Sequence, residues 1–255
     1  MFEATSPART RNERGRLNHA YLLHASALQG VDAGALATLG DAARLIAAGD
    51  AAETGARGNA APCLFLMVSG HAAVWSHGKV VELPGAGELF GEEQILGPAS
   101  PTRVTLLGDA TALAMPAATV LSALEYSPAL ARALLQNLSR RSLRVMERME
   151  SQARHRALER VAAFIMRRLP ATDGPCDIKF PASKTLIASL LSMSKESLSR
   201  CLARLAAEAR IIRRGRVVHV PVPWRLAMVC SRGGDCADCG GCQRSGGWMA
   251  SSKAA

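Results

Sequence analysis

The stretch FPASKTLIASLLSMSKESLSRCLARLAAEARIIRRGRVVHVP, residues 180–221, decides how the chain is read. Leu186, Ile187, Leu190 and Leu191 give one short helix an apolar face, Met193 bridges a turn, and Ser194 stands where it can cap a second helix. Leu198, Leu202 and Leu205 recur at steps of four and three, so they form the buried side of that second helix. Its opposite side presents Lys195, Glu196, Ser199 and Arg200 close to the helix start. Two β-prone pairs flank RRGR (213–216), which predicts a small hairpin with Arg213, Arg214 and Arg216 around its tip. The spacing predicts two helices joined by a tight turn, followed by a basic β-wing.

The charge of the chain is concentrated in the same region. The formal net charge is +10, and residues 156–225 hold fourteen Lys or Arg against five Asp or Glu, so that segment alone carries +9. A basic face can be merely solvated, but a concentrated one is the footprint of a polyanion, because neutralising phosphates releases counterions. Arginine pairs bidentately with guanine and glutamate accepts from cytosine N4, and the start of a second helix is where such contacts reach base edges. Duplex DNA is the expected partner, with Lys195, Glu196, Ser199 and Arg200 at bases and the wing arginines at phosphate.

Working outward, 255 residues suit two modest domains. Residues 1–20 are polar and arginine-rich and read as a flexible arm. VDAGALATLGDAARLIAAG (31–49) has helical spacing, with Leu36, Leu39 and Leu45 available to face inward. From Cys63 short apolar runs alternate with glycine, and His77-Gly78 marks a hairpin turn, so a small antiparallel roll is expected over about 60–116. Ser127-Pro128 reads as the cap and first residue of a long helix. Along it Ala131, Leu135, Leu138, Ser142, Val145, Met149 and Gln152 recur at alternating steps of four and three. That is a seam for one partner helix, with Leu135, Leu138, Val145 and Met149 as its apolar members; a helix packed on its own domain would show a wider stripe. The expected organisation is an arm (1–20), a β-roll domain (21–126), a dimerisation helix (127–154), the winged helix-turn-helix (155–225) and a cysteine-rich tail (226–255). The fold class is α+β.

In this layout, and above all in KESLSR (195–200), the sequence resembles the Crp/Fnr family of bacterial transcription regulators across roughly residues 20–225. KESLSR is similar to the E-x-x-S-R pattern of the Fnr branch. The resemblance implies a homodimer in which Glu196, Ser199 and Arg200 read a palindromic TTGAT-type site, with RNA polymerase as a further partner. Ser192 stands where the family commonly has glycine in the turn, and Ala209 where a capping glycine usually follows the recognition helix. In cyclic-nucleotide-binding members a Gly-Glu pair holds ribose and an arginine holds phosphate. Gly87-Glu88 or Gly91-Glu92 match the first, but the register puts Thr102, not Arg103, at the second, and a one-residue slip in a strand reverses the face. Nucleotide binding is therefore not expected, and no spacing marks His71 or His77 as haem ligands.

The tail raises a separate chemistry. Cys230, Cys236, Cys239 and Cys242 lie within thirteen residues, among Gly233, Gly234, Gly240 and Gly241. C-x2-C-x2-C is the compact spacing that places three thiolates on one iron–sulfur cubane, with Cys230 as candidate fourth ligand of a 4Fe-4S cluster. Four thiolates could instead hold zinc, although zinc sites usually separate two C-x2-C pairs by a longer loop. Free redox-reactive thiols are the third reading. By the resemblance, Fnr-type members ligate their cluster through N-terminal cysteines and one roll cysteine. Here no cysteine precedes Cys63 and Leu113 matches the roll ligand, so the tail is similar to a C-terminal variant of that arrangement. Cys63, Cys176 and Cys201 read as small packed residues.

These features together predict a regulator that senses oxygen, nitric oxide or redox state, and not an enzyme, since no catalytic constellation accompanies the cysteines. An iron–sulfur electron carrier is the rival from another class, and it leaves the basic helix unexplained. The first twenty residues hold no apolar signal core and no apolar run reaches the length of a membrane span, so a cytoplasmic location is expected.

Overall fold

In the computed structural model the described residues are 11–48, 54–55, 62–97, 102–154, 156–170 and 174–231. They divide into two compact units, Met1–Arg141 and Ser142–Ala255.

The first unit opens with helix α1 (Arg11–His24) and a short 3-10 turn at Ser26–Leu28. The sequence led us to expect an arm over 1–20, and from Arg11 onward the chain is helical instead. The reason is a pair of tertiary contacts that periodicity does not show. Leu22 is fully buried, and the buried Asn18 side chain donates to the carbonyls of Gly40 (3.1 Å) and Ala43 (2.9 Å) at the end of α2 (Ala33–Ala42). The helical reading of 31–49 is also shortened. Ala43 turns extended, and Arg44–Ala47 becomes strand β1, which leaves Leu45 exposed and buries Ile46.

The remaining strands are β2 (Thr54–Gly55), β3 (Cys63–Ser76), β4 (Lys79–Glu82), β5 (Leu89–Phe90) and β6 (Arg103–Pro116), with the single-turn helix α3 (Glu93–Leu96) between the last two. The sheet runs β1-β6-β3-β4, every pair antiparallel, with β2 on β6 and β5 on β3. The run LFLM in β3 is continuously apolar because both faces of the strand are covered. Leu64 and Leu66 join the helices α1 and α2 in one core, while Phe65 and Met67 join Val74, Phe90 and Val104 in another. His77 (φ 48°) and Gly78 (φ 75°) form the expected hairpin between β3 and β4, both in the left-handed region that a tight two-residue turn needs.

Helix α4 (Ala117–Tyr126) leads into α5 (Pro128–Arg154), and two caps are wired together where α5 starts. The Ser127 hydroxyl donates to Asp32 while its oxygen accepts from Leu130 N (3.1 Å), and Asp32 also accepts from Ala35 N (2.8 Å) at the start of α2. One serine and one aspartate thus satisfy the free amides of two helices.

The second unit continues with α6 (Ala157–Met166), β7 (Cys176–Lys179), α7 (Lys184–Leu190), α8 (Lys195–Glu208), β8 (Ile212–Arg214), β9 (Val217–Val220) and α9 (Pro223–Cys230). The three strands form an antiparallel sheet in the order β7-β9-β8. The Glu159 carboxylate caps α6 by accepting from Arg156 N (2.7 Å). Helix α9 was not anticipated: the tail was expected from 226, yet Leu226, Ala227, Val229 and Cys230 are buried and α9 packs on α6.

The Ser127 hydroxyl and then the Ala35 amide hold the Asp32 carboxyl below its ordinary range. A lowered folded value stabilises above the carboxylate range and is lost as pH falls through it. Asp32→Asn should therefore lose stability against the parent at about pH 7 and match it near about pH 3, checked by urea unfolding at both. An equal gap at the two pH values would mean that the charge is not engaged as described.

Candidate nucleic-acid interface

Two capped helices and one unusual residue shape the reading unit. The Ser183 hydroxyl accepts from Leu186 N (3.5 Å) to start α7, and the Ser194 hydroxyl accepts from Ser197 N (3.1 Å) to start α8. Between them the chain reverses through Ser192, whose φ of 52° is left-handed. This is the position at which glycine was expected, so a β-carbon is carried where glycine would rest more easily. The second departure is corrected. Ala209 keeps an ordinary φ of −103° and is fully buried, and it is Arg210 (φ 59°) that takes the left-handed place after the helix.

Leu198, Cys201, Leu202 and Leu205 are buried on α8, so Lys195, Glu196 and Arg200 stand exposed and Ser199 half-buried at the opposite side, as expected. Arg200 Nη2 donates to Ser197 Oγ (3.3 Å). The Glu196 carboxyl is held below its ordinary range by its own backbone amide and by the Ser194 hydroxyl, so it is charged at neutral pH. Cys201 sits on the dry side, and burial pushes its thiol up despite the nearby arginines. In the wing Arg213 and Arg214 are exposed. Arg216 is also exposed but already serves the fold, donating to Phe180 O (3.0 Å). Asp177, Ile212, Arg214, Val217 and His219 line a cavity of about 240 Å³ on the wing sheet, and His219 Nδ1 lies 2.7 Å from Asp177 Oδ1.

A capped helix with a wet basic-acidic face, followed by an arginine wing, is the geometry of a DNA-reading module. Residues 159–228 match the family described as the Crp-like helix-turn-helix domain. That segment of the chain is thus a Crp-like helix-turn-helix domain.

A search of curated proteins gave no match. Solved structures share the fold. FixK2 from Bradyrhizobium japonicum is 21% identical at a TM-score of 0.63, over 73% of this chain and 96% of that one. A transcriptional regulator of the CRP/FNR family from Thermus thermophilus is 20% identical at 0.58, over 75% and 100%. The c-di-GMP responsive global regulator CLP of Xanthomonas campestris is 18% identical at 0.59, over 74% and 99%.

The other candidate residues are distributed as follows. On α5, Leu135 (66% exposed), Val145 (44%) and Met149 (66%) are open to solvent and Leu138 is half-buried. Cys230 closes α9 with no exposed surface, while Cys236, Cys239 and Cys242 lie outside the described residues. Among the described residues no group of three or more His, Cys, Asp or Glu is placed to hold a metal ion. Cys63 and Cys176 are half-buried, and burial pushes both thiols up. Leu113 is fully buried in the roll.

In the roll, Glu88, Thr102 and Arg103, which resemble parts of a nucleotide site, are engaged with neighbouring residues. Glu88 Oε2 accepts from Gly85 N (2.8 Å), Thr102 donates to Glu93 (3.2 Å), and Arg103 stacks over Trp75 at 5.2 Å. Gly91 (φ 92°) brings the backbone so close that a β-carbon would lie 2.8 Å from Cys63 O, which gives this glycine a packing role. Arg141 of α5, which the sequence did not single out, pairs with Glu82, Glu92 and Glu93. Burial pushes the Glu92 carboxyl up in spite of that arginine. Burial also works against the Arg141 charge, but the three carboxylates outweigh it and hold the guanidinium above its ordinary range.

Two expectations follow from the interface. Arg200→Ala should cost about 1–3 kcal/mol of discrimination between cognate and scrambled duplexes, whereas Arg214→Ala should weaken both alike and flatten the salt dependence. Paired titrations at two salt concentrations separate these outcomes. Ser192→Gly should raise stability by about 0.5–1 kcal/mol, the relief of the left-handed β-carbon less the added chain entropy. Thermal unfolding of the two proteins checks it.

Proposed function

We propose that the protein acts as a homodimer that reads a palindromic TTGAT-type site in duplex DNA and couples that binding to oxygen, nitric oxide or redox state through the cysteine-rich tail. The observation that carries the DNA reading is the capped start of α8. It holds Lys195, Glu196 and Arg200 in solvent while three leucines and a cysteine lock the other side. Exposed Leu135, Val145 and Met149 support a second copy on α5. A two-fold dimer presents two α8 helices to half-sites about one helical turn, ~34 Å, apart. RNA polymerase is the further partner, and the cytoplasm the setting.

For the signal, the C-x2-C-x2-C spacing supports a 4Fe-4S cluster on Cys236, Cys239 and Cys242, with Cys230 as fourth ligand. When bound, such a group supplies an inorganic core that oxygen and nitric oxide degrade. The chain's own part is mechanical. Cys230 is sealed in the core at the end of α9, so a thiolate there reaches a ligand only if the last turn of α9 opens. Loading and packing of α9 are then linked equilibria, and loading biases the population competent for DNA.

Anaerobic purification followed by iron, acid-labile sulfide and zinc analysis tests the cofactor. Iron and sulfide in equal amounts are expected, and zinc without sulfide would overturn it. Serine at Cys236, Cys239 or Cys242 should abolish the aerobic–anaerobic difference in operator affinity while leaving far-ultraviolet dichroism unchanged. A difference that survives all three substitutions removes the tail as sensor but leaves the DNA reading standing.

A further inference from the structure

Between Pro128 and Arg141, helix α5 carries two neighbouring stripes. Leu130, Leu134, Asn137 and Arg141 follow each other at four, three and four residues and turn toward the roll, where the first three are buried and Arg141 is 17% exposed on its side chain. Leu135 and Leu138 lie one residue further on, about 100° round the helix, on the stripe that is open or half-open. Which stripe meets a partner thus depends on how α5 is rotated on the roll.

Leucine contacts alone define that rotation loosely, since dispersion and apolar burial are non-directional. Hydrogen bonds define it sharply. Asn137 Nδ2 donates to Leu89 O (3.2 Å) on β5. One turn later Arg141 Nη2 meets Glu82 Oε2 at 2.6 Å on β4, and Nη1 meets Glu92 Oε1 and Glu93 Oε2 (3.3 Å) at α3. Thr102, just before β6, ties in through Glu93. A single guanidinium therefore joins β4, α3 and α5. Glu92 is 1% exposed, and among the described residues its second oxygen, Oε2, finds no hydrogen-bond partner. Three carboxylates from two elements thus converge on one guanidinium of a third. Buried ion pairs of this kind add little net stability but penalise every other geometry.

We propose that Arg141 is a positioning residue, an internal cation that fixes the rotation of α5 on the β-roll and so sets the helix face offered to a second copy of this chain. It rests on the dimer reading above and extends it, because the roll then controls the seam through its own side chains.

The test is sedimentation of the full chain over a concentration series, with melting temperature measured in parallel. Arg141→Gln should weaken dimerisation about tenfold or more, the loss of one charge-assisted contact. Glu92→Gln combined with Arg141→Gln should be no worse than the single change, since the most deeply buried of the three carboxylates is then not left charged without the guanidinium. Leu134→Ala, an apolar truncation on the same face, should lower the melting temperature and leave the dimer constant within about twofold. If Arg141→Gln does not fold, Arg141→Lys, which keeps the charge but not the fork, decides the matter and should weaken the dimer about threefold or more. A dimer constant unchanged in the folded arginine variant, or shifted equally by Leu134→Ala, overturns the proposal. So does a parent chain that is monomeric throughout. Operator binding, scored separately, reports on the DNA reading and does not enter this comparison.

Discussion

Leu198, Cys201, Leu202 and Leu205 of α8 meet α6 and α9 in one apolar layer, and what the second unit offers to solvent follows from it. Each buried leucine contributes about 1.5–3 kcal/mol. The exposed contact of Arg200 with Ser197 contributes far less, so the polar residues do not choose where they point; the leucines choose for them. Helical periodicity then does the rest, carrying Lys195, Glu196 and Arg200 to the far side at the end whose amides are capped by Ser194. A substitution that loosened the dry side would disturb how α8 is presented without touching a single residue of its exposed polar face.

The first unit is governed by a different constraint. Its two long strands, β3 and β6, are covered on both faces, and the residues nearest the edge of the roll bond to one another and to α5. In a site meant for a charged small molecule one expects convergent polar groups with unmet capacity. Here Glu88, Thr102 and Arg103 each have an intramolecular partner, and the nearest cation to the acidic corner is supplied by the helix itself. That arrangement fits a roll that serves as a fixed support.

How much of this was legible in the sequence depended on where the stabilising contacts lie. The winged unit was readable because its leucines repeat at helical steps and its caps are serines at the right offsets. The His77-Gly78 hairpin was readable because the chemistry of the turn is local. Helix α1 was not, since RNERGRLNHAYLLH has little apolar face and rests on Asn18 reaching carbonyls more than twenty residues away. Strand β1 was hidden by an apolar run shared with α2, and a short run cannot separate helix from strand. Arg141 escaped because an arginine beside a leucine seam reads as solvated, and nothing local marks the three glutamates that receive it. The left-handed residue after α8 was displaced by one, from Ala209 to Arg210, because the buried site favours the smaller side chain.

Helix α9 changes the problem that the cysteines pose. Read from the sequence, Cys230 opens a glycine-rich tail; in the fold it ends a helix whose Leu226, Val229 and own thiol are packed away, with Trp224 and Met228 on the outer side. A thiol so placed is a poor spontaneous ligand, because releasing it exposes apolar surface. The same cost would make it a useful one in the proposed site. If Cys236, Cys239 and Cys242 bound an inorganic group readily and Cys230 only at the expense of the end of α9, occupancy and local packing would oppose each other, and a modest change in ligand chemistry would tip the balance. A tail tethered through an exposed residue would have no such leverage, since filling its site would leave the DNA-reading unit as it was.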